Sequence, residues 1–429
     1  MRLFRRTTVS IALAVLVAFA IPAYARAPGL LMPGQLDPTF GQGGKATALS
    51  NGGVGTAVLI DPRGRAVTAG YTLNGRPDFV VARFLQNGTL DTTFGDLGRT
   101  ILDLGGADYA RALAFQVDGK IVLAGESDSG GKSRIAIARF NANGRVDTNF
   151  GGQHGFTLTS YGKDHQAANA VIVTPDDKIV VAGFTSAGVD SRSAIVRYGL
   201  GGGLDHSFGG DGRVSFDLSR SDEQFEAISW DEGNYVLGGY AEVNHTPAFS
   251  VADVTNTGRL NDQFSKNGFN TTNVTNGTDI GYAMLQQPDG KILVAGRVGN
   301  SHRDDWGVVR YLPQGGLDQT WGHSGKVITT FGKSFDVAYG IAMQANGKIV
   351  VAGRVHRTFT GSDFGVVRYN TDGSVNMSFG TSGKVITDFA GSDDGARGLV
   401  IRESNGKILV VGQAMKNGVR RMALARYIE

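Results

Sequence analysis

The sequence predicts an all-β fold: a seven-bladed β-propeller of four-stranded blades, closed by the N-terminal strand completing the last blade. Three observations carry this. One phrase returns seven times, as LDPTFG at Leu36, LDTTFG at Leu90, VDTNFG at Val146, LDHSFG at Leu204, LNDQFS at Leu260, LDQTWG at Leu317 and VNMSFG at Val375. Successive starts lie 54 to 58 residues apart, so the units fill the chain to its end and leave no room for a second domain. Within each unit lie short β-rich runs and no sustained helical period. Four short strands repeated at this length mark a propeller blade, and rings usually hold ~4–8 of them.

The elements follow in order. MRLFRRTTVS is basic, IALAVLVAFAI is apolar, and Ala23-Tyr24-Ala25 has the form of a cleavage site. Residues 1–25 therefore read as a secretory signal peptide, and the chain is expected to be exported to the periplasm, the cell surface or the medium. Residues 26–35 form a short N-terminal segment, and 36–429 a single propeller domain. Removing the signal takes away Arg2, Arg5 and Arg6 but no acid, so 42 basic and 39 acidic residues become 39 and 39. A neutral chain argues against nucleic acid, which needs a basic stripe. After the signal no apolar run approaches the ~20 residues of a membrane helix. Cysteine is absent, which excludes disulfides and thiolate sites. A monomer is the expected state.

The fifth unit shows the anatomy best. GYAMLQQ and KILVAG are two strands joined by a turn containing Pro-Asp-Gly; WGVVRYL is a third strand and KVITTF a fourth. Second strands such as IVLAG and IVVAG are apolar on both faces, as befits a sheet between two neighbours. First strands carry small residues (Ala110, Ala112, Ala114) where strands crowd the axis. The chain opens on a fourth-strand phrase, GKATALS at 44–50, and ends on a third-strand phrase, MALARYI at 422–428. The first strand should therefore complete the last blade and remove the open edge.

The phrases LDxTFGxxGK, QxDGKIVVAG and VVRYxxxG resemble the delta-60 repeat of secreted and surface-associated bacterial proteins, and the resemblance covers 34–429. It implies a β-propeller, but no activity and no catalytic residues to carry over. The fourth unit departs most, with Asp253 for the usual Arg, Asn261 for Asp and Ser265 for Gly.

Seven copies also show which positions tolerate change. Arg83, Arg139, Arg197, Arg310 and Arg426 close third strands, and Asp91, Asp147, Asp205 and Asp318 follow the first four by eight residues. Asp37 serves Arg426 after ring closure, and Arg368 faces Asn376. An Arg–Asp clamp in each blade is expected; a ring of anion-binding arginines is the functional alternative. The aromatic row from Phe40 to Phe379 reads as plugs between blades rather than as a stacking surface for sugars.

The constant segments DGK and LDxTFG share one face of the disc, and variable loops share the other. That variable face is where a partner or ligand is expected. There Asp108, Asp222, Asp279 and Asp336 recur at one spacing, with Asp164 and Asp393 nearby. They could ring the channel mouth and hold Ca²⁺ or another hard cation, or each could cap its own turn. No cofactor is otherwise implied. A basic arc, Arg297, His302, Arg303, Arg354, His356, Arg357, Lys416 and Arg420, suits an acidic glycan or a solvated rim. No HExxH, G-x-S-x-G or related catalytic signature occurs. The expected function is a scaffold that binds protein or carbohydrate through its variable face. The alternative is a hydrolase or lyase with a metal or acid–base site at the channel mouth.

Overall fold

The computed structural model describes residues 31–429 except 163–164, 189, 220, 301–302, 333–334, 358–360 and 390–392. The expected signal peptide, Asp164 and His302 thus lie outside the described residues. Chain contacts separate Met1–Leu31 from Met32–Glu429, and the second of these units holds the blades.

The described strands form seven four-stranded antiparallel sheets, in the blade order the repeat predicts. The innermost strands are Gly53–Ile60, Ala107–Phe115, His165–Val173, Glu223–Asp231, Asp279–Gln286, Val337–Met343 and Gly395–Ile401, in blades one to seven. Seven buried apolar clusters fill the seven blade junctions; the one between blades seven and one joins Leu409, Met422 and Leu424 to Val58, Val80 and Phe84.

Closure is by the N-terminal strand. Lys45–Ala48 pairs with Val419–Tyr427, placing Lys45 opposite Ala425 and Ala48 opposite Met422. It extends one turn beyond the repeat boundary at Leu36. Gly34 N donates to Ile428 O (2.9 Å) and Ile428 N to Gln35 O (2.9 Å). These reproduce bonds that blade one makes within a continuous turn, Gly88 N to Leu85 O and Leu85 N to Thr89 O, both 2.8 Å. Residues 33–36 and 427–429 together make the turn that every other blade makes from one segment.

The repeated phrase has a structural use. In blade one Arg83 Nε donates to Asp91 Oδ2 at 2.8 Å, and the guanidinium lies 4.4 Å from the centre of the Phe94 ring. Arg83 Nη1 reaches on to the carbonyl of Ala142 in the next blade, and Gly95 N to Asn143 O. Phe94 is fully buried against Gly144 of that blade; a Cβ there would sit 2.6 Å from the ring, so only glycine fits. The pairs Arg139–Asp147 (2.8 Å), Arg197–Asp205 (2.9 Å), Arg310–Asp318 (2.9 Å) and Arg426–Asp37 (2.7 Å) repeat the arrangement. Arg368 uses Asn376 at 3.0 Å instead. In blade four Asp253 accepts from Asn234 Nδ2 at 2.8 Å. The clamp therefore holds its own third strand and grips the next blade's turn as well.

Candidate functional site

Every innermost strand carries a one-residue bulge at the same place. Pairing with the second strand slips between Gly55 and Ala57, Ala110 and Ala112, Ala168 and Ala170, and likewise in the other four blades. A bulge re-aims the extra side chain. Here it delivers one residue per blade to the wall of the central channel: Thr56, Arg111, Asn169, Glu226, Tyr282, Tyr339 and Arg397. The bulge also explains the repeated glycine of the second strand. A Cβ on Gly125 would lie 1.9 Å from Tyr109 O, and one on Gly296 1.9 Å from Ile280 O.

Several of these residues reach across to the next blade. Thr56 Oγ1 donates to Ala110 O (2.9 Å), Arg111 Nη1 to Asn169 Oδ1 (3.2 Å), and Asn169 Nδ2 to Phe225 O (3.1 Å). The rings of Tyr282 and Tyr339 meet at 5.1 Å, and the Arg397 guanidinium lies 5.3 Å from the Tyr339 ring. Arg111 also pairs with Glu126 at 2.5 Å. Arg397 is exposed and has no carboxylate partner among the described residues. Burial pushes the Glu226 carboxyl up to about 8, against the pull of Arg111. Burial likewise raises the Tyr282 phenol to about 12, with the Arg297 charge opposing it.

Below this polar ring, towards the hairpin turns, come small residues such as Ala57 and Gly340, then an aliphatic belt including Val58, Leu113, Val171 and Met284. Together they line a cavity of about 490 Å³, within the range of small-molecule sites. Towards the variable loops stand the Tyr71–Tyr109 pair, whose rings meet edge to face at 5.0 Å, and Tyr240.

The expected ring of aspartates is not a ring. Asp108, Asp279 and Asp336 share one repeat position but are fully buried, each in its own blade junction. Their carboxylates accept backbone N–H groups: Asp108 from Leu104 (2.6 Å), Asp279 from Val274 (2.7 Å) and Asp336 from His356 (2.9 Å). Burial pushes the Asp336 carboxyl up to about 6. Their counterparts in blades three, four and seven are Gln166, Glu223 and Asp394, all fully buried. Asp222 falls one residue short of that place and accepts from Ser191 N at 2.8 Å. The miscount arises in blade four, where the hairpin turn shrinks to Glu232-Gly233, both at positive φ, while other blades use longer turns.

The basic arc divides. Arg297 pairs with Asp304 (2.9 Å), Arg303 with Asp305 (2.8 Å) and Arg420 with Asp393 (3.5 Å). Arg354 lays its stem against Gly395, while His356, Arg357 and Lys416 are exposed. Within the described part of the arc, Arg297 comes near the channel ring, through its charge on Tyr282. Two groups of carboxylates are spaced to hold a cation, Asp78–Asp103–Asp108 and Asp363–Asp388–Asp394. Among the described residues no helix is long and apolar enough to cross a membrane.

Six stretches, 64–94, 116–150, 174–208, 287–320, 344–379 and 403–427, match the family described as "Domain of unknown function (DUF5122) beta-propeller". They fall in every blade but the fourth, the one that lacks the arginine clamp. No curated protein matches the chain. Among solved structures it is similar to virginiamycin B lyase from Staphylococcus aureus, solved as a catalytically inactive form with quinupristin. That likeness has 9% identity and a TM-score of 0.53, over 89% of this chain and 98% of that one. Sqt1 from Chaetomium thermophilum is similar at 13% identity and a TM-score of 0.46, over 86% and 81% of the two chains. At such identities the likeness to the lyase speaks for a propeller fold and for nothing of its activity.

Proposed function

We propose that this chain is a binding propeller that takes a carboxylate-bearing carbohydrate at the ring of bulged residues in its central channel. One observation carries the reading: below the bulge the channel wall repeats Ala or Gly and then an aliphatic residue in every blade, whereas the bulged position holds five residue types in seven blades. A varied set of polar and aromatic side chains re-aimed from a rigid frame is the arrangement a ligand site needs. Arg397 offers an exposed guanidinium, a good partner for a carboxylate, and Tyr282 and Tyr339 offer aromatic faces beside it. The variable loops and Arg297 flank the approach. The repeat is taken as the delta-60 kind, the protein as exported and monomeric, with residues 1–25 removed; an intact mass beginning at Arg26 checks the export. Thermal shift and calorimetry against acidic and neutral oligosaccharides test the binding. Arg397→Ala is expected to weaken an acidic sugar by about tenfold or more, in line with the ~1.5–3 kcal/mol of a charged hydrogen bond. No acidic sugar binding, or equal binding by this variant, overturns the reading.

A second reading, acid–base cleavage of the same ligand, is favoured by Glu226, which keeps its proton near neutral pH at the centre of the site. The sign of its pH effect is definite. The unfolded chain releases this proton near pH ~4.3 and the folded chain near 8, so Glu226 lowers stability progressively as pH rises between them. Glu226→Gln is expected to flatten the fall of Tm from pH 5 to 8, and to abolish any release of new sugar ends from an acidic polysaccharide. A Tm profile unchanged by the variant removes the buried acid and this reading with it.

A further inference from the structure

We infer that the hairpin face of the disc binds an aliphatic carboxylate, its head on Arg402 and Arg63 and its chain between blades seven, one and two. This site is separate from the ring of bulged residues and does not rest on the reading above. A cleft of about 1140 Å³ runs there past the turn 61–65 of blade one, from the turn 402–407 of blade seven to the turn 116–120 of blade two. Its apolar wall includes Leu59, Phe115, Val400 and Ile401, all only partly buried, with the exposed Val117 at the rim.

Two hairpins break the repeat at this cleft, and each break adds positive charge. In other blades the tip of the turn carries a side chain that accepts from the backbone. Asp118 accepts from Lys120 N (3.0 Å), Asp289 from Lys291 N (3.3 Å) and Asn346 from Lys348 N (3.1 Å). In blade one the exposed Arg63 holds that tip. The structural bond has moved to Asp61, which accepts from Arg63 N (3.0 Å) and Arg65 N (2.9 Å), so the turn is complete without the Arg63 side chain. In blade seven Arg402 takes the place held by Gln116, Gln287 and Gln344 in blades two, five and six. Gln116 Oε1 accepts from the clamp arginine of its own blade, Arg139, at 3.3 Å. Arg402 instead confronts its clamp arginine with a like charge: burial pushes the Arg426 guanidinium down, Asp37 holds it up, and Arg402 pushes it down further.

Arg402 reaches across to blade one. A Cβ on Gly64 would sit 2.4 Å from its Nη2, so the glycine of that turn makes room for the guanidinium. Gln86 Nε2, beside the same glycine, donates to Arg63 O at 2.8 Å. Arg65 has Asp61 (2.7 Å) and Asp91 (3.4 Å), and Lys407 has Asp37 (2.7 Å). Neither Arg63 nor Arg402 has a carboxylate partner among the described residues. Guanidinium forks on adjoining turns suit a carboxylate, and the aliphatic wall beside them suits an anion with an apolar body.

The test uses the full chain with decanoate, below its micellar concentration, as the probe. Calorimetry should register decanoate binding and thermal unfolding a higher midpoint. Acetate, which lacks the chain, and decanol, which lacks the charge, should each bind at least tenfold more weakly. Arg402→Gln copies blades two, five and six, and Arg63→Asp copies blades two and five, so both should fold. Each is expected to weaken decanoate by about tenfold, and Arg402→Gln should also raise the ligand-free midpoint by removing a like charge from Arg426. No decanoate binding at millimolar concentration, equal binding of decanol, or binding undiminished in both variants overturns the inference. Binding lost in Arg397→Ala but kept in these two places the anion in the channel and overturns it as well.

Discussion

At the scale of single residues, the arginine clamp ties a third strand to the turn after it in every blade but the fourth. Arg197 is almost fully buried and Asp205 partly so, and the carboxylate accepts from the Ser207 hydroxyl and amide as well as the guanidinium. Burial works to raise the Asp205 carboxyl, but bonds from Ser207 and Lys178 and the Arg197 charge outweigh it and bring it to about 2. The unfolded chain protonates the same group near pH ~3.9. The stabilisation is therefore complete above that value and drains away as pH falls towards 2. Removing the carboxylate strands a buried guanidinium, a change that costs ~3–5 kcal/mol. Urea unfolding of Asp205→Ala at pH 7 should show a loss of that order, and its acid limb between pH 4 and 2 should be shallower than that of the wild type. Equal stability of the two proteins at pH 7 would make the pair ornamental.

At the scale of the element, the bulge and the glycine opposite it form one device. The extra residue pushes the inner backbone onto the second strand, which only a residue without Cβ can accept. Gly125→Ala places a methyl 1.9 Å from Tyr109 O and should cost at least the upper part of the ~1–3 kcal/mol typical of overpacking. Gly203 has open space around it, and Gly203→Ala should stay within ~0.5 kcal/mol of wild type. Similar losses in both would separate the glycine from the bulge. This device was the part of the site the sequence hid. Strand order, blade count and closure were legible because a packing solution used seven times must be written seven times. A bulge leaves the apolar pattern almost untouched, so nothing in the repeat marks Arg111, Glu226 and Tyr282 as facing the channel. The glycine of IVLAG and ILVAG was the available signal, and it read simply as part of an apolar strand. The aspartates misled for the opposite reason: their regular spacing reflects a structural bond to backbone amides, which recurs as faithfully as any ligand set.

At the scale of the whole molecule, residues 33–35 and 427–429 meet inside a turn, beside the strand pairing of Lys45–Ala48 with Val419–Tyr427. Glu429 stands where blade one has Gln86, and Pro33 where it has Asn87, as the shared bonds of Gly34 and Gly88 require. Gly380 N even finds its inter-blade acceptor in Pro33 O (2.9 Å), as Gly41 N does in Asn87 O (2.7 Å). A peptide bond from Glu429 to Pro33 should therefore make a covalently continuous ring without disturbing a blade. New ends can be opened at the hairpin turn of blade two, where Val117 is 87% exposed. This permutant should melt within a few degrees of the parent protein. Deletion of 32–50 should behave very differently. It removes the fourth strand of the last blade, the Asp37 partner of Arg426 and the Phe40 plug, exposing a sheet edge and the cluster between blades seven and one. Aggregation or a broad, low-temperature transition is the expected result, read by size-exclusion chromatography and calorimetry. If instead the permutant unravels and the truncated chain stays a compact monomer, the ring is held by its blade-to-blade packing alone and the shared turn contributes nothing.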